Sequence, residues 1–133
     1  MTSIRTVAII GAGQMGSGIA QTVATGGYEV RLFDHAQERL PLAQGEIAAS
    51  LARRAARGLT TAAEADAALA RIQTVSSMKA CVVGADFVIE AATEDEAVKK
   101  AIFAEVGQYL SDHTLLASNT SSISITRLAS VTD

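Results

Sequence analysis

The chain has 133 residues, a formal net charge of -3 and 49% hydrophobic residues, which is typical of one ordinary globular domain. The charge gives no reason to expect a nucleic-acid partner, and no apolar run is long enough to span a membrane. A single cysteine, Cys81, excludes an internal disulfide framework and favours a cytoplasmic protein. No metal-binding pattern is predicted.

The first part of the chain predicts a strand, a helix and a second strand. Residues 4–10 form a short apolar run typical of a buried strand. After it, Met15, Ile19 and Val23 recur every four positions and predict the apolar stripe of a helix. Residues 28–34 follow as the second strand. These elements span about thirty residues, the length of a strand–helix–strand unit with parallel strands.

The middle of the chain predicts two helices. Residues 36–58 space their apolar side chains at helical intervals, and at ~1.5 Å per residue this helix extends roughly 30 Å. Thr61 is a candidate N-cap for the second helix, with Glu64 placed to complete a capping box. A turn at residues 58–60 makes the pair an antiparallel helical arm, over about residues 36–72.

The remaining elements complete an α/β pattern. Residues 72–75 are a weak strand candidate, while residues 86–92 and 114–118 are stronger ones. An amphipathic helix is predicted over residues 95–110, between the last two strands. The predicted fold is therefore Rossmann-type, with a mostly parallel sheet and the helical arm inserted after the second strand.

Glycines follow the first strand in the pattern G-x-G-x-x-G, formed by Gly11, Gly13 and Gly16. The first allows a tight turn, the second lets backbone approach a pyrophosphate, and the third lets the helix pack close to the strand. Gln14 and Met15 open the helix, whose free N–H groups attract an anion. The alternative is a glycine-rich packing turn that binds no ligand.

Asp34 ends the second strand, eighteen residues after Gly16, and is the candidate ribose-binding acid. A carboxylate there accepts hydrogen bonds from ribose hydroxyls and repels a 2′-phosphate, so the predicted cofactor is NAD rather than NADP. The alternative is that Asp34 only caps the next helix. His35 is expected at the surface near the adenine, and Gly18, outside the pattern, is expected only to ease helix packing.

Four ordered stretches resemble one known family: "IGAGQMGSGIAQ", "SLARRAARGLT", "ADFVIEAATEDEAVKKAIFAEV" and "LASNTSSISIT". The chain is similar along nearly its whole length to the L-3-hydroxyacyl-CoA dehydrogenases, which include the 3-hydroxybutyryl-CoA dehydrogenases. The resemblance implies NAD-dependent oxidation of a 3-hydroxyacyl-CoA in β-oxidation, or the reverse reduction of acetoacetyl-CoA. It also implies an acyl-CoA substrate and a homodimer when the protein is full length.

The resemblance also implies roles for particular residues. The residues implied to bind NAD are Gly11, Gly13, Gln14, Met15, Gly16, Asp34, Glu94, Lys99, Asn119 and Ser121. The residues implied to contact CoA are Ser50, Arg54, Arg57 and Lys99. Ser121 is implied to orient the substrate, and Arg57 departs from a position that is often lysine in the family.

Each of these sets also has a plainer interpretation. Glu94, Asp95 and Glu96 suit a solvated acidic helix start. Residues 118–122 suit a polar turn that caps a following helix. Arginines on an alanine-rich helix are commonly its solvated face.

The two histidines are poor candidates for a catalytic base. His35 is expected beside the adenine end of the cofactor, and His113 precedes the last strand and is expected at the opposite sheet edge. The family's catalytic histidine and its orienting glutamate lie in motifs beyond residue 133, as does a helical dimerisation domain. The expectation is an NAD-binding domain over residues 1–133, inactive alone. Another Rossmann β-hydroxyacid dehydrogenase and a non-catalytic NAD-binding module are the alternatives.

Overall fold

The computed structural model describes residues 4–92 and 95–118 of the chain. The described ranges contain five strands and five helices, with one helix between successive strands except for two between β2 and β3. In chain order they are β1 (Thr6–Ile10), α1 (Gln14–Thr25), β2 (Glu29–Phe33), α2 (Arg39–Ala56), α3 (Ala62–Ala70), β3 (Ile72–Thr74), α4 (Met78–Val82), β4 (Phe87–Glu90), α5 (Glu96–Gly107) and β5 (Leu115–Ser118). No helix in these ranges is both long and apolar enough to cross a membrane.

The five strands form one parallel sheet in the order β3-β2-β1-β4-β5. β1 lies at the centre, and its Ile9 is paired with Leu32 on one side and Ile89 on the other. The chain moves outward in one direction as far as β3 and then returns to the other side of β1. Such a reversal leaves a crevice at the carboxyl ends of the central strands, where α/β proteins bind ligands. The predicted Rossmann-type fold is confirmed.

Two apolar cores cover the two faces of the sheet. Val7 and Ile9 of β1 face the core that contains α1, α2 and α3, while Ala8 and Ile10 face the core that contains α4 and α5. The alternation follows from the two-residue period of a strand. Cys81 of α4 is fully buried, and burial raises the pKa of its thiol to about 12.

Helix α1 forms where the stripe predicts it, but its most buried residues are not those of the stripe. Its buried residues are small: Gly16, Ser17, Ala20 and Ala24. Met15 is 60% exposed, so its assignment to the apolar stripe was wrong. Small side chains let α1 lie close to the central strands, while Ile19 and Val23 of the predicted stripe are half-buried and pack against the same core.

Helices α2 and α3 connect β2 to β3. The connection between them contains Gly58 at φ +74, as the predicted turn requires. Thr61 caps α3 by accepting a hydrogen bond of 3.0 Å from the Glu64 amide. The Glu64 carboxylate instead accepts from the Thr60 hydroxyl, so only half of the predicted capping box forms.

The same two helices belong to the body of the domain. Helix α2 has 18 residues, about 27 Å of helix. It buries four side chains in the core that covers β1 and β2: Leu40, Ala43, Ile47 and Leu51. The pair therefore serves as the cover of one sheet face, and its extension beyond the body as an arm stays a prediction.

Candidate functional site

The connection from β1 to α1 leaves no room for side chains at two of its glycines. Gly11 has φ +115, and a Cβ on it would lie 2.7 Å from the carbonyl carbon and oxygen of Ala91. A Cβ on Gly16 would lie 1.7 Å from the Gly11 carbonyl oxygen. These two glycines are thus required by the packing of the loop, as their place in the pattern predicts.

Gly13 differs from them because its surroundings are open. A Cβ there would meet only the Arg39 guanidinium, 3.7 Å from Nη1. Gly13 is the N-cap of α1, and among the described residues no side chain caps that helix or places an acidic group in its first turn. Gln14 and Met15 are exposed at the same end. The uncapped N–H groups and the open space suit a pyrophosphate at this position.

Asp34 ties the glycine loop to the end of β2. Its Oδ2 accepts from the Ala12 amide and its Oδ1 from the Ala36 amide, both at 2.8 Å. Helix α2 begins at Arg39, with Glu38 as N-cap, so Asp34 is not the cap of that helix. The carboxylate is 12% exposed and keeps lone pairs that can accept hydrogen bonds from ribose hydroxyls.

Arg39 is a site residue that the sequence reasoning missed. Its Nη1 lies 3.9 Å from Asp34 Oδ2, and the same atom borders the open space over Gly13. The side chain of a helical residue points back toward the helix N-terminus, which here directs the guanidinium to the glycine loop. The sequence signal that could have identified Arg39 is its place at the start of the helix that follows Asp34, the candidate ribose-binding acid.

A cleft of about 720 Å³ runs between α1 and α2. Gly13 and Gln14 lie at one part of it, and Ser50 and Arg53 line it further along α2. Its wall on α2 follows one line of residues: Arg39, Leu42, Ala43, Glu46, Ala49, Ser50 and Arg53. The structure therefore brings two of the predicted dinucleotide residues, Gly13 and Gln14, into one cleft with Ser50.

Arg54 does not line this cleft. It lies instead in a separate groove between α2 and α3, together with Leu59 and Arg71. The resemblance implied Arg54 as a CoA contact together with Ser50, but the cleft follows the side of Ser50 on which Arg53 lies. Arg57 is exposed at the C-cap of α2 and lines neither of the two.

Lys99 is buried beneath the site rather than exposed in it. Its side chain is 0% exposed and forms an ion pair with Glu90, which ends β4 and is 1% exposed. The plainer interpretation of a solvated helix start holds for Asp95, which is exposed and caps α5. A direct contact of Lys99 with NAD or CoA stays a prediction. Glu94 lies outside the described residues.

The last strand, β5, ends at the same sheet edge as β4. β5 pairs with β4 in parallel, Ser118 opposite Glu90, so the two strands end together. Asn119 and Ser121, predicted to contact NAD and substrate, lie outside the described residues. Their roles stay predictions.

His113 lies at the predicted edge of the sheet and His35 is exposed as predicted, while its place near the adenine stays a prediction. His113 Nε2 is 3.6 Å from Asp86 Oδ1, at the amino end of β4 and thus at the edge away from the glycine loop. His35 follows Asp34 directly and packs edge-on against Phe33, with ring centroids 5.0 Å apart. His35 Nε2 also lies 3.9 Å from Glu105.

Comparison with known proteins gives consistent results. Residues 6–133 match the model of the family described as "3-hydroxyacyl-CoA dehydrogenase, NAD binding domain". A 3-hydroxyadipyl-CoA dehydrogenase of Escherichia coli is 45% identical over 97% of this chain and 27% of its own length. A 3-hydroxybutyryl-CoA dehydrogenase of Bradyrhizobium diazoefficiens is 42% identical over 98% of this chain and 44% of its own.

Solved structures agree with the fold. The crystal structure of (S)-3-hydroxybutyryl-CoA dehydrogenase from Ralstonia eutropha superposes with a TM-score of 0.92 at 42% identity. The match covers 97% of this chain and 45% of that one. The chain thus spans less than half the length of each of these relatives.

Proposed function

This chain belongs to the 3-hydroxyacyl-CoA dehydrogenase NAD-binding-domain family, and from that premise we propose that it supplies the NAD site and part of the CoA site of such an enzyme. The reaction is the interconversion of an L-3-hydroxyacyl-CoA and a 3-ketoacyl-CoA. NAD, when bound, supplies the acceptor for the electrons removed at the 3-hydroxyl carbon. A cytoplasmic location and a homodimer in a longer protein are parts of the same proposal.

The observation that carries the proposal is the continuity of the cleft between α1 and α2. One part of it lies at Gly13, whose open surroundings and free helix N-terminus suit the pyrophosphate. Asp34, beside that part, holds the loop and offers oxygens for the adenosine ribose. A single surface can therefore receive both the dinucleotide and a second phosphate-bearing molecule.

The CoA end of the cleft is built around Ser50 and Arg53. The guanidinium of Arg53 suits the phosphates of CoA, and the Ser50 hydroxyl can donate or accept a hydrogen bond beside it. Arg57, one turn further on, adds a second guanidinium at the end of α2. We assign the contact with CoA to Arg53 in place of Arg54, since Arg54 lines a different groove.

Calorimetric titration of the chain with NAD, NADP and CoA tests the proposal. We expect NAD to bind more tightly than NADP, and CoA to bind measurably on its own. Substitution Arg53→Ala is expected to weaken CoA binding about tenfold, since a charge-assisted hydrogen bond is lost.

Arg54→Ala is the matched control for that substitution. It removes the same charge from the neighbouring position, outside the cleft, and should leave CoA affinity within about twofold, because only screened long-range attraction is lost. Equal losses from both substitutions would contradict the assignment to Arg53. Binding of NAD without any binding of CoA would favour a β-hydroxyacid dehydrogenase over the proposed enzyme.

A further inference from the structure

The most deeply buried charges in the described ranges lie at the carboxyl end of β4, directly beside the proposed dinucleotide loop. Lys99 is 0% exposed and Glu90 is 1% exposed, and the two form an ion pair. Taking two charges out of water is costly, and well-packed apolar residues often replace a buried pair without loss of stability. Stability alone therefore does not account for a buried pair at this position.

The second oxygen of Glu90 provides an explanation. Glu90 Oε2 accepts a hydrogen bond of 2.6 Å from the Ala92 amide, so one carboxylate holds both Lys99 and the backbone two residues further on. The Ala91 amide in turn donates to the Ile10 carbonyl at 2.8 Å. The start of the β4–α5 connection is thus attached to β1 on one side and to Glu90 on the other.

This attached backbone forms the wall of the glycine loop. A Cβ on Gly11 would lie 2.7 Å from the Ala91 carbonyl group and 2.7 Å from Ala92 Cα. Ala92, which Glu90 holds, and Ala91, which β1 holds, are therefore packed against Gly11, where the chain turns from β1 toward the proposed pyrophosphate position. A displacement of the Ala91–Ala92 backbone would change the space available to the turn at Gly11.

Lys99 anchors the carboxylate from the other side of the connection. It lies in the first turns of α5, where its amide donates to the Asp95 carbonyl at 3.0 Å. Asp95 caps the helix by accepting from the Val98 amide, also at 3.0 Å. The start of α5 is therefore well formed, and the ammonium group is carried on a rigid element to the end of β4.

We propose that Glu90, held by Lys99, is a positioning residue for NAD: through the Ala92 amide it keeps the β4–α5 connection against Gly11 and so maintains the phosphate-binding loop. Lys99 then acts through Glu90 and does not need to touch the ligand. The inference rests on the NAD site proposed above.

Two double variants of the full chain differ only in the acceptor offered to the Ala92 amide. Glu90→Gln with Lys99→Met removes both charges and keeps a carbonyl oxygen for that amide. Glu90→Leu with Lys99→Met removes both charges and the oxygen. We expect the second to bind NAD at least about tenfold more weakly than the first, measured by calorimetry, since a small misplacement of a binding loop has a large effect. Both variants lack Lys99, so any contact that this lysine makes with NAD is lost from both and cancels in the comparison.

Amide hydrogen exchange provides a readout at the proposed point of action. The Ala92 amide should exchange much faster in the Glu90→Leu double variant than in the Glu90→Gln double variant, while amides in β1 stay protected in both. The control for a purely structural effect is Ile102→Ala, which truncates a buried side chain of α5, the helix that carries Lys99. It should lower the melting temperature and leave NAD affinity unchanged.

The possible outcomes separate the inference from the proposed function. Equal NAD affinities of the two double variants would overturn the inference. If both affinities are equal and also far below that of the unaltered chain, the inference is overturned and Lys99 contacts the ligand directly. If the unaltered chain itself does not bind NAD, the proposed function fails and the inference fails with it.

Discussion

At each of the two edges of the sheet, an aspartate carboxylate accepts hydrogen bonds from two backbone N–H groups, but the two carboxylates have different surroundings. At the carboxyl edge, Asp34 accepts hydrogen bonds from the Ala12 and Ala36 amides, both at 2.8 Å. At the amino edge, Asp86 Oδ2 accepts from the Arg5 and Thr6 amides, at 2.9 and 3.0 Å. Each aspartate joins two segments that are distant in the sequence by binding two backbone N–H groups.

What differs is the surroundings of the two carboxylates. Asp34 lies beside a free helix N-terminus, the open space over Gly13 and the Arg39 guanidinium. Asp86 lies beside the start of β1 and the His113 imidazole. In a parallel sheet the helix N-termini follow the carboxyl ends of the strands, so only one edge can become an anion site. A carboxylate is thus functional or structural according to the edge on which it lies.

The largest expected effect comes from a substitution in the glycine loop at the carboxyl edge. Gly16→Ala places a Cβ 1.7 Å from the Gly11 carbonyl oxygen. The nearest atoms all belong to the Gly11 backbone, so no flexible side chain can move away to relieve the clash. We expect a loss of about 3 kcal/mol or more in the free energy of unfolding, measured with urea, and loss of NAD binding.

Gly18→Ala is the control within the same helix. A Cβ on Gly18 would meet no described atom within 4 Å, so the expectation that this glycine eases helix packing is not supported. Alanine there should raise the free energy of unfolding by about 0.5–1 kcal/mol, because it favours helix. Equal effects of the two substitutions would show that the loop at the carboxyl edge is not tightly packed.

A moderate effect on dinucleotide affinity is expected when the charge of Asp34 is removed from the carboxyl edge. Asp34→Asn removes the ionised acceptor of the ribose hydroxyls and should lower NAD affinity about tenfold, as expected for a hydrogen bond to a charged group. It should also narrow the preference for NAD over NADP, because Arg39 remains to attract the 2′-phosphate. Titrations with both dinucleotides measure the change.

Two further variants complete this test. Adding Arg39→Ala to Asp34→Asn should remove the gained NADP affinity, since the guanidinium that borders the open space over Gly13 is then gone. Asp86→Asn, the same substitution at the amino edge, should leave both dinucleotide affinities unchanged. A loss of NAD affinity in that variant would erase the distinction between the two edges.

The smallest effect concerns the pH dependence of stability at the amino edge. The Thr6 and Arg5 amides hold the pKa of Asp86 below its usual value of 3.8, with His113 and Arg5 adding favourable charge. A carboxyl whose pKa is lowered by folding adds stability above its unfolded pKa, and this stability disappears as the pH falls through the folded pKa. Asp86→Asn should therefore destabilise the protein at pH 7 and less so below about pH 3.8.

Urea unfolding at several pH values, with Asp34→Asn for comparison, measures this dependence. A constant difference between the unaltered chain and Asp86→Asn over the whole pH range would show that the Asp86 charge does not contribute. The amide geometry alone would then account for the role of this side chain.

Much of the site was predictable because its requirements are local. A tight turn, a close helix and a strand-ending acid each require a particular residue type at a particular spacing, and Gly11, Gly16 and Asp34 meet them. The arginines of α2 were less predictable. Helical spacing places Arg53 and Arg54 on either side of Ser50, and nothing local shows along which side the neighbouring helix leaves a cleft.

The sequence by itself determined the order of the strands and of every described helix except α4, the glycine turn and the acid that follows it, since these depend on residues close together in the chain. Only the tertiary structure decided which face of α1 is buried, that Arg39 and Arg53 face the cleft, and that Lys99 is paired with Glu90. Burial and pairing depend on neighbours that are distant in sequence. A lysine near a helix start has the same local pattern whether it faces a ligand or a buried carboxylate.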